Sequence, residues 1–462
     1  MAKYVKIILF IAFLLIKHIS IAQTLSLGEI TAKADKLIGE YKDKEALEIL
    51  ENVDIDIYKN EDEVKLASFY FVKATAYDLN EDSNNSVKSF EKACDYYEKA
   101  GITYDRYLQS LQSLGCLYYK LGDLSSSEKC YKKIIIYGTP SQLFKNDELN
   151  DLDFVSNAFY NLGIIYVDRD EYDMAEKCLP KVMQKSIVSH EKAQNSLYNY
   201  LFNRLFSKSI EFRKDEKYED AIAIFDKLLS LIEWYSGRLN EVFIQISFDK
   251  ALVLGYNLGL YKEAIPILKY NTEIRNLIES PNRDICSSYC FLTMFLLASK
   301  EYDKVQDVLT NGFDYLKEAN FTDYPPHMLY RFAGNGSYDT NDYSTAISYY
   351  EKYIDSNNPK EGATNYEEIV NMLSVAYILS DYPDKAQKLL KSFLKDNEDA
   401  MIETNPTILA NIYHNLGRSM MLVRSYKDAL IYLNKSKDLQ MKLYGEVTSR
   451  TSDYINECVN HK

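Results

Sequence analysis

A small residue followed four positions later by a large apolar one recurs along the whole chain. The pairs are Ala46/Leu50, Ser86/Phe90, Ser127/Tyr131, Ala175/Leu179, Ala221/Phe225, Ala264/Leu268, Val305/Leu309, Ala346/Tyr350, Ala386/Leu390 and Ala429/Leu433, at steps of 40, 41, 48, 46, 43, 41, 41, 40 and 43 residues. Twelve positions before most of them stands another small residue: Ala74, Gly115, Gly163, Ser209, Gly334, Ser374 and Gly417. Three residues further on come Tyr77, Tyr118, Tyr166, Phe212 and Tyr377. Residues four apart share one face of a helix. Polar, turn-compatible stretches such as "RDEYD", "KDEKYED" and "TNDYST" precede the second small residue. Each period therefore predicts two helices joined by a short turn.

A glycine inside a helix costs about 1 kcal/mol relative to alanine, so its return at Gly115, Gly163, Gly334 and Gly417 requires a packing reason. Small residues on both helices let the backbones approach, and the large residues fill what space remains. One such hairpin cannot bury its apolar faces alone, whereas stacked neighbours can. Pro140, Pro281, Pro325-Pro326, Pro359 and Pro406 follow second helices, where the chain must reverse. Pro180 and Pro266 fall inside second helices, so a bend or broken hydrogen bonding is expected there. No stretch alternates as a strand does.

The segments "SLGCLYYKLGDLSSSEKCY", "NLGIIYVDRDEYDMAEKCL" and "NLGRSMMLVRSYKDALIYL" resemble the tetratricopeptide repeat, with weaker copies over roughly residues 25 to 450. The period of that family is about 34 residues. The longer steps here resemble the units of kinesin-light-chain-type and bacterial regulatory members. The resemblance implies an all-α fold, an α-α superhelical solenoid of about ten stacked helix-turn-helix repeats over residues 23–449. "QMKLYGEVTSRTSDYINEC" is similar to the family's inter-repeat segment, so residues 450–462 read as a C-terminal capping helix or the start of a further repeat. In this family the first helices line a concave surface that holds peptides. By that register the lining would include Tyr160, Ile164, Phe206, Ile210, Arg331, Asn335, His414 and Arg418. Arg331 and Asn335 resemble half of a Lys-x-x-x-Asn carboxylate grip, and the next repeat, with Asn371 and Met372, lacks the basic partner.

Composition alters this picture in three places. "MAKYVKIILFIAFLLIKHISIAQ" has the basic start, ten-residue apolar run and small Ser20 and Ala22 of a secretory signal peptide, so residues 1–22 are expected to be removed before Gln23. The remaining chain carries 51 basic and 68 acidic residues, which opposes binding to nucleic acid or an anionic membrane surface. Its 41 tyrosines suit many half-buried seams, or else a partner-binding surface.

Chemistry finds little support. The seven cysteines are odd in number and irregularly spaced, and the Cys286/Cys290 pair lacks further ligands nearby, so free, mostly buried thiols are expected. The five histidines and the abundant turn carboxylates form no nucleophile-and-base pair, and no phosphate-binding or metalloprotease motif occurs. The glycines of "AGNGSYDTND" fall on packing and turn positions. The expectation is an exported, non-enzymatic scaffold for protein or peptide partners, without cofactor or metal. The alternative is a sensory or regulatory module of a signalling system, acting through its C-terminal end.

Overall fold

Every first helix stops in the same way, five residues before the recurring small position. Tyr41, Glu81, Gly122, Asp170, Glu216, Gly259, Lys300, Asn341, Asp381 and Arg424 all have φ between +59° and +82°. The amide of the following residue reaches back to the carbonyl five positions earlier, as in Asp82 to Tyr77 (2.9 Å), Glu171 to Tyr166 (2.8 Å) and Tyr382 to Tyr377 (2.8 Å), except after Gly259, where Leu260 reaches six back to Leu254 (2.8 Å). That left-handed residue and back-bond satisfy carbonyls that the helix end would otherwise orphan. Where the following residue is Asp82 or Asp123, its carboxylate at once caps the next helix, accepting from the Asn85 and Ser126 amides. One helix thus ends and the next begins within about two residues.

Only Gly122 and Gly259 occupy this left-handed position without a side-chain penalty. Gly122→Ala is expected to cost about 1 kcal/mol, and Lys300→Gly to be neutral or slightly stabilising. Denaturant midpoints of the two variants test this; an unchanged Gly122→Ala midpoint would remove the turn from the account of the fold.

The structure, a computed structural model, describes residues 25–138, 151–182, 188–278, 280–356 and 365–461. The expected signal peptide, Pro140 and Pro359 lie outside them. The described residues form an all-α repeat fold of the solenoid type, with no strand. Ten hairpins pair a first and a second helix: α1 Leu27–Gly39 with α2 Asp43–Glu51, α3 Glu63–Leu79 with α4 Ser83–Lys99, and α5 Arg106–Lys120 with α6 Leu124–Tyr137. Next come α7 Asp151–Asp168 with α8 Tyr172–Cys178, α9 Val188–Lys214 with α10 Tyr218–Ser236, and α11 Glu241–Leu252 with α12 Tyr261–Glu273. The last are α13 Arg283–Ala298 with α14 Tyr302–Ala319, α15 Met328–Asp339 with α16 Tyr343–Ser356, α17 Tyr366–Leu379 with α18 Pro383–Thr404, and α19 Pro406–Leu422 with α20 Tyr426–Tyr444. A final helix, α21 Ser449–Asn460, packs on α20 and α19. The chain divides into two compact parts, one ending at Arg204 and the other beginning at Leu205.

The small and large positions of the sequence pattern are the core. All ten small residues, and all ten large residues four positions on, are buried. A Cβ at Gly115 would lie 2.8 Å from the Tyr131 ring, one at Gly334 2.3 Å from the Tyr350 ring, and one at Gly417 2.6 Å from Leu433. Each of these glycines makes room for the large residue of its own second helix. Ser86 and Ser127 each tie the two helices of their own hairpin by donating to the Ala74 and Gly115 carbonyls, at 2.9 and 2.7 Å.

Gly163 departs from that rule, because its Cβ would meet Leu197 of the next first helix at 2.5 Å. Its own second helix ends at Cys178 and passes into a 3-10 turn over Leu179–Lys181, as expected at Pro180. Pro266 does not end α12, which runs on to Glu273. It stands near the helix start, so only the bond to the Lys262 carbonyl is forgone. In the hairpin before Ala264, the first helix continues into a π turn at Val253–Asn257. Gly255 within that turn makes room for Phe295 of the next first helix, which lies 2.2 Å from its would-be Cβ.

Some of the tyrosines join one hairpin to the next. Tyr77, Tyr118 and Tyr377 each donate to a glutamate on the preceding second helix: Glu51 at 2.9 Å, Glu91 at 2.5 Å and Glu351 at 2.6 Å. Burial, followed by that carboxylate, raises all three phenols, Tyr77 to about 12. A second arrangement occurs twice. Tyr107 and Lys133 converge on Glu98, as Tyr413 and Lys435 converge on Glu398. Burial raises both carboxyls, but the lysine and tyrosine donors outweigh it and hold them below the usual range.

Candidate functional site

The eight residues expected on the first-helix face fall in both parts of the chain. In the part ending at Arg204, α7 carries Tyr160 and Ile164, both half-buried. The Tyr160 hydroxyl lies 3.3 Å from Ser196 Oγ of α9. Beside it Asp168 accepts from Tyr119 of α5 at 2.6 Å and from Tyr200 of α9 at 2.5 Å. Tyr119 and Tyr200 remain exposed, so three consecutive first helices present tyrosine there. The repeat register did not single out Tyr119 or Asp168, which stand at helix ends, or Tyr200, which lies before the lining positions Phe206 and Ile210 of its helix. The Ile210 side chain of α9, in the second part, is exposed, and Phe206 is half-buried.

In the part beginning at Leu205, Arg331 and Asn335 project from α15, and His414 and Arg418 from α19. Asn335 Oδ1 accepts from the buried Tyr350 hydroxyl at 2.9 Å, so this amide supports a packing residue. On α17, Asn371 Oδ1 accepts from Asn415 of α19 at 2.8 Å, which joins neighbouring first helices. His414 lies beneath α21: its Nδ1 is 2.9 Å from Thr451 Oγ1, and its ring is 5.4 Å from that of Tyr454. Burial, with Arg418 and Arg450 adding to it, pushes the imidazole down to about 4. Sequence spacing did not reveal this cover, because it is laid across 37 residues.

The two arginines are the least committed groups of the set. Arg106, Arg169 and Arg213 pair with Asp35, Glu128 and Asp249, and Arg275 is held by Tyr289 and Asn311. Among the described residues, half-buried Arg331 and Arg418 have no carboxylate partner within ion-pair distance. The Arg331 guanidinium stands 5.0 Å from the Phe332 ring, and its buried Nε has no hydrogen-bond acceptor. Unpaired, partly desolvated cations in an acidic chain are poised to receive an anionic group.

Clefts also open between consecutive second helices. One of about 550 Å³ lies between α12 and α14 over α13, lined by Lys269, Arg275 and Lys304 but also by Glu273, Asp303 and Asp307. Another of about 340 Å³ lies between α4 and α6, where Glu91, Asp95 and Glu98 face Lys129 and Lys133. The first balances its charge internally, and the second has one more acid than base. Cys94 and Cys130 line the second, and burial raises each thiol to about 12, which leaves them poor nucleophiles at neutral pH. All seven cysteines are free, and only Cys116 is exposed. No helix among the described residues is long and apolar enough to cross a membrane.

The tetratricopeptide repeat family model matches residues 67–100 and 108–135, which fall on the α3/α4 and α5/α6 hairpins. The chain therefore carries tetratricopeptide repeats. Yeast Tom70 is similar in structure at 12% identity, covering 94% of this chain and 95% of that one with a TM-score of 0.37. A tetratricopeptide repeat protein from Parabacteroides merdae is 15% identical over 67% of this chain and 98% of that one, with a TM-score of 0.29. A kinesin light chain-like repeat protein from Podosopora anserina is 15% identical over 44% of this chain and 98% of that one, with a TM-score of 0.35. No curated protein matches the sequence.

Proposed function

We propose that this chain is a non-enzymatic scaffold that acts after export and holds an extended acidic peptide segment against its first helices. The observation that carries the proposal is the pair Arg331 and Arg418, half-buried and without a carboxylate partner among the described residues of a chain with net charge −14. A side-chain or terminal carboxylate of the bound segment supplies the missing partner. Apolar side chains of the same part of the chain, exposed Ile210 and half-buried Phe206 among them, supply apolar contact. Asn335 and His414 contribute to the architecture of the face, since one supports Tyr350 and the other is covered by α21. The tetratricopeptide repeats support a protein-binding role.

Selection of random peptides on the full chain should enrich acidic sequences. Arg331→Ala/Arg418→Ala should weaken the selected peptides at least about tenfold, or about 1.4 kcal/mol, with melting unchanged. Retained affinity in that variant sinks the reading. Export predicts a secreted or envelope form whose first residue is Gln23; a chain that keeps Met1 in the cytoplasm contradicts it.

A further inference from the structure

The cleft between α4 and the segment after α2 that carries Val53 and Ile55, floored by α3, differs from the two just described. It encloses about 260 Å³, lined by Val53, Ile55, Phe69, Tyr70, Lys73, Tyr77, Asn85, Lys88, Ser89 and Lys92, three lysines and no carboxylate. The acids beside it are already engaged. Glu51 accepts from the Tyr77 hydroxyl, and Asp82 caps α4 through Asn85. Lys73 is half-buried and donates only to the Leu50 carbonyl, 3.2 Å away at the end of α2. Burial lowers its ammonium, with Lys92 nearby adding to that and Glu51 opposing it. Lys92 stands 4.9 Å from the centre of the Tyr70 ring, and Lys73 5.7 Å from that of Phe69. Lys88 and Lys92 are exposed, one turn apart on the same face of α4, with no carboxylate bound among the described residues. Three ammonium groups around aromatic and aliphatic walls make a positive lining, with the Glu51 carboxylate beside Lys73 as the acid that acts on it.

We propose that this pocket binds a phosphate monoester carried on a flat apolar body. The charge count selects the anion. With Glu51 set against Lys73, about two positive charges remain; a carboxylate would leave one of them uncompensated, whereas a phosphate monoester brings a charge of about −1.5 to −2 at neutral pH. Lysine serves as a point-charge partner for phosphate without needing the planar fork of arginine. Tyr70, Phe69, Val53 and Ile55 give the organic body its contact, and a cavity of about 260 Å³ limits it to one small ring or short chain. The site lies on the second-helix side of a hairpin, with residues separate from the arginine face.

The test is calorimetric titration of the full chain with phenyl phosphate at about pH 8, where the ester is dianionic. Benzoate and inorganic phosphate serve as comparison ligands. Phenyl phosphate should bind at least about tenfold more tightly than either. Lys88→Glu/Lys92→Glu, both at exposed positions, should reduce its affinity at least about tenfold without changing the melting temperature. Lys391→Glu/Lys395→Glu, a pair of the same charge change on α18, should bind like the parent, as should Arg331→Ala/Arg418→Ala. The proposal is overturned by no measurable phenyl phosphate binding, by benzoate binding equally well, or by inorganic phosphate matching the ester. Equal losses in both lysine variants overturn it too, because the effect would then be general charge. Loss in the arginine variant alone would assign phenyl phosphate to the first-helix face instead.

Discussion

Tyr350→Ala is expected to destabilise its hairpin by about 4 kcal/mol. The side chain is fully buried, its ring lies over Gly334, and its hydroxyl donates to Asn335 at 2.9 Å. Truncation leaves a cavity bounded by a glycine, which has no side chain to move into it, so relaxation recovers little. It also strands the inward-turned Asn335 carbonyl without a donor. Tyr350→Phe keeps the ring and loses only the hydrogen bond, at about 1 kcal/mol. A repeat array need not unfold as one unit, so hydrogen exchange of α15 and α16 amides is the direct reading. Comparable protection in the alanine variant and the parent would show that the Gly334–Tyr350 contact does not lock the hairpin.

The second large effect is a loss of stability at the C-terminal end on mild acidification. Neutral His414 is enclosed by Thr451 and Tyr454, with Arg418 and Arg450 nearby. Its folded value of about 4 lies below the 6.5 of the unfolded imidazole. Between those values the unfolded state binds the proton and the folded state does not. The contribution is therefore complete above about pH 6.5 and is lost as pH falls to about 4, reaching roughly 3 kcal/mol. Amides of α19 to α21 should lose protection across that window. His414→Gln should remove the pH dependence while keeping a partner for Thr451. The depressed carboxyls of Glu98 and Glu398 act in the same direction, but only as pH falls below their unfolded value of 4.5. A profile flat from pH 6.5 to 5 would show that His414 is hydrated and not sealed beneath α21.

Sequence alone determined the helix pairing, the register of small and large residues and the position of each turn. These rest on contacts between residues at most about twenty apart, so spacing records them directly. Gly115, Gly334 and Gly417 could each be matched to the large residue sixteen positions later, and the structure places them together. Gly163 could not, because its cover comes from Leu197, beyond a second helix cut short at Pro180. The tyrosine count announced seams, while their glutamate partners, 26 or 27 residues away, emerged only when neighbouring hairpins were stacked.

The candidate site was legible only as a helix face. Arg331, Asn335, His414 and Arg418 occupy equivalent positions in their repeats, yet tertiary packing gave them different fates. It turned Asn335 toward Tyr350, enclosed His414 beneath α21 and left the two guanidiniums without a carboxylate among the described residues. The lysine pocket draws on residues from Val53 to Lys92, and no motif joins them. A periodic sequence fixes which face of a helix a residue occupies. Whether that residue is paired, covered or open depends on side chains brought from neighbouring hairpins, and only the folded chain sets those distances.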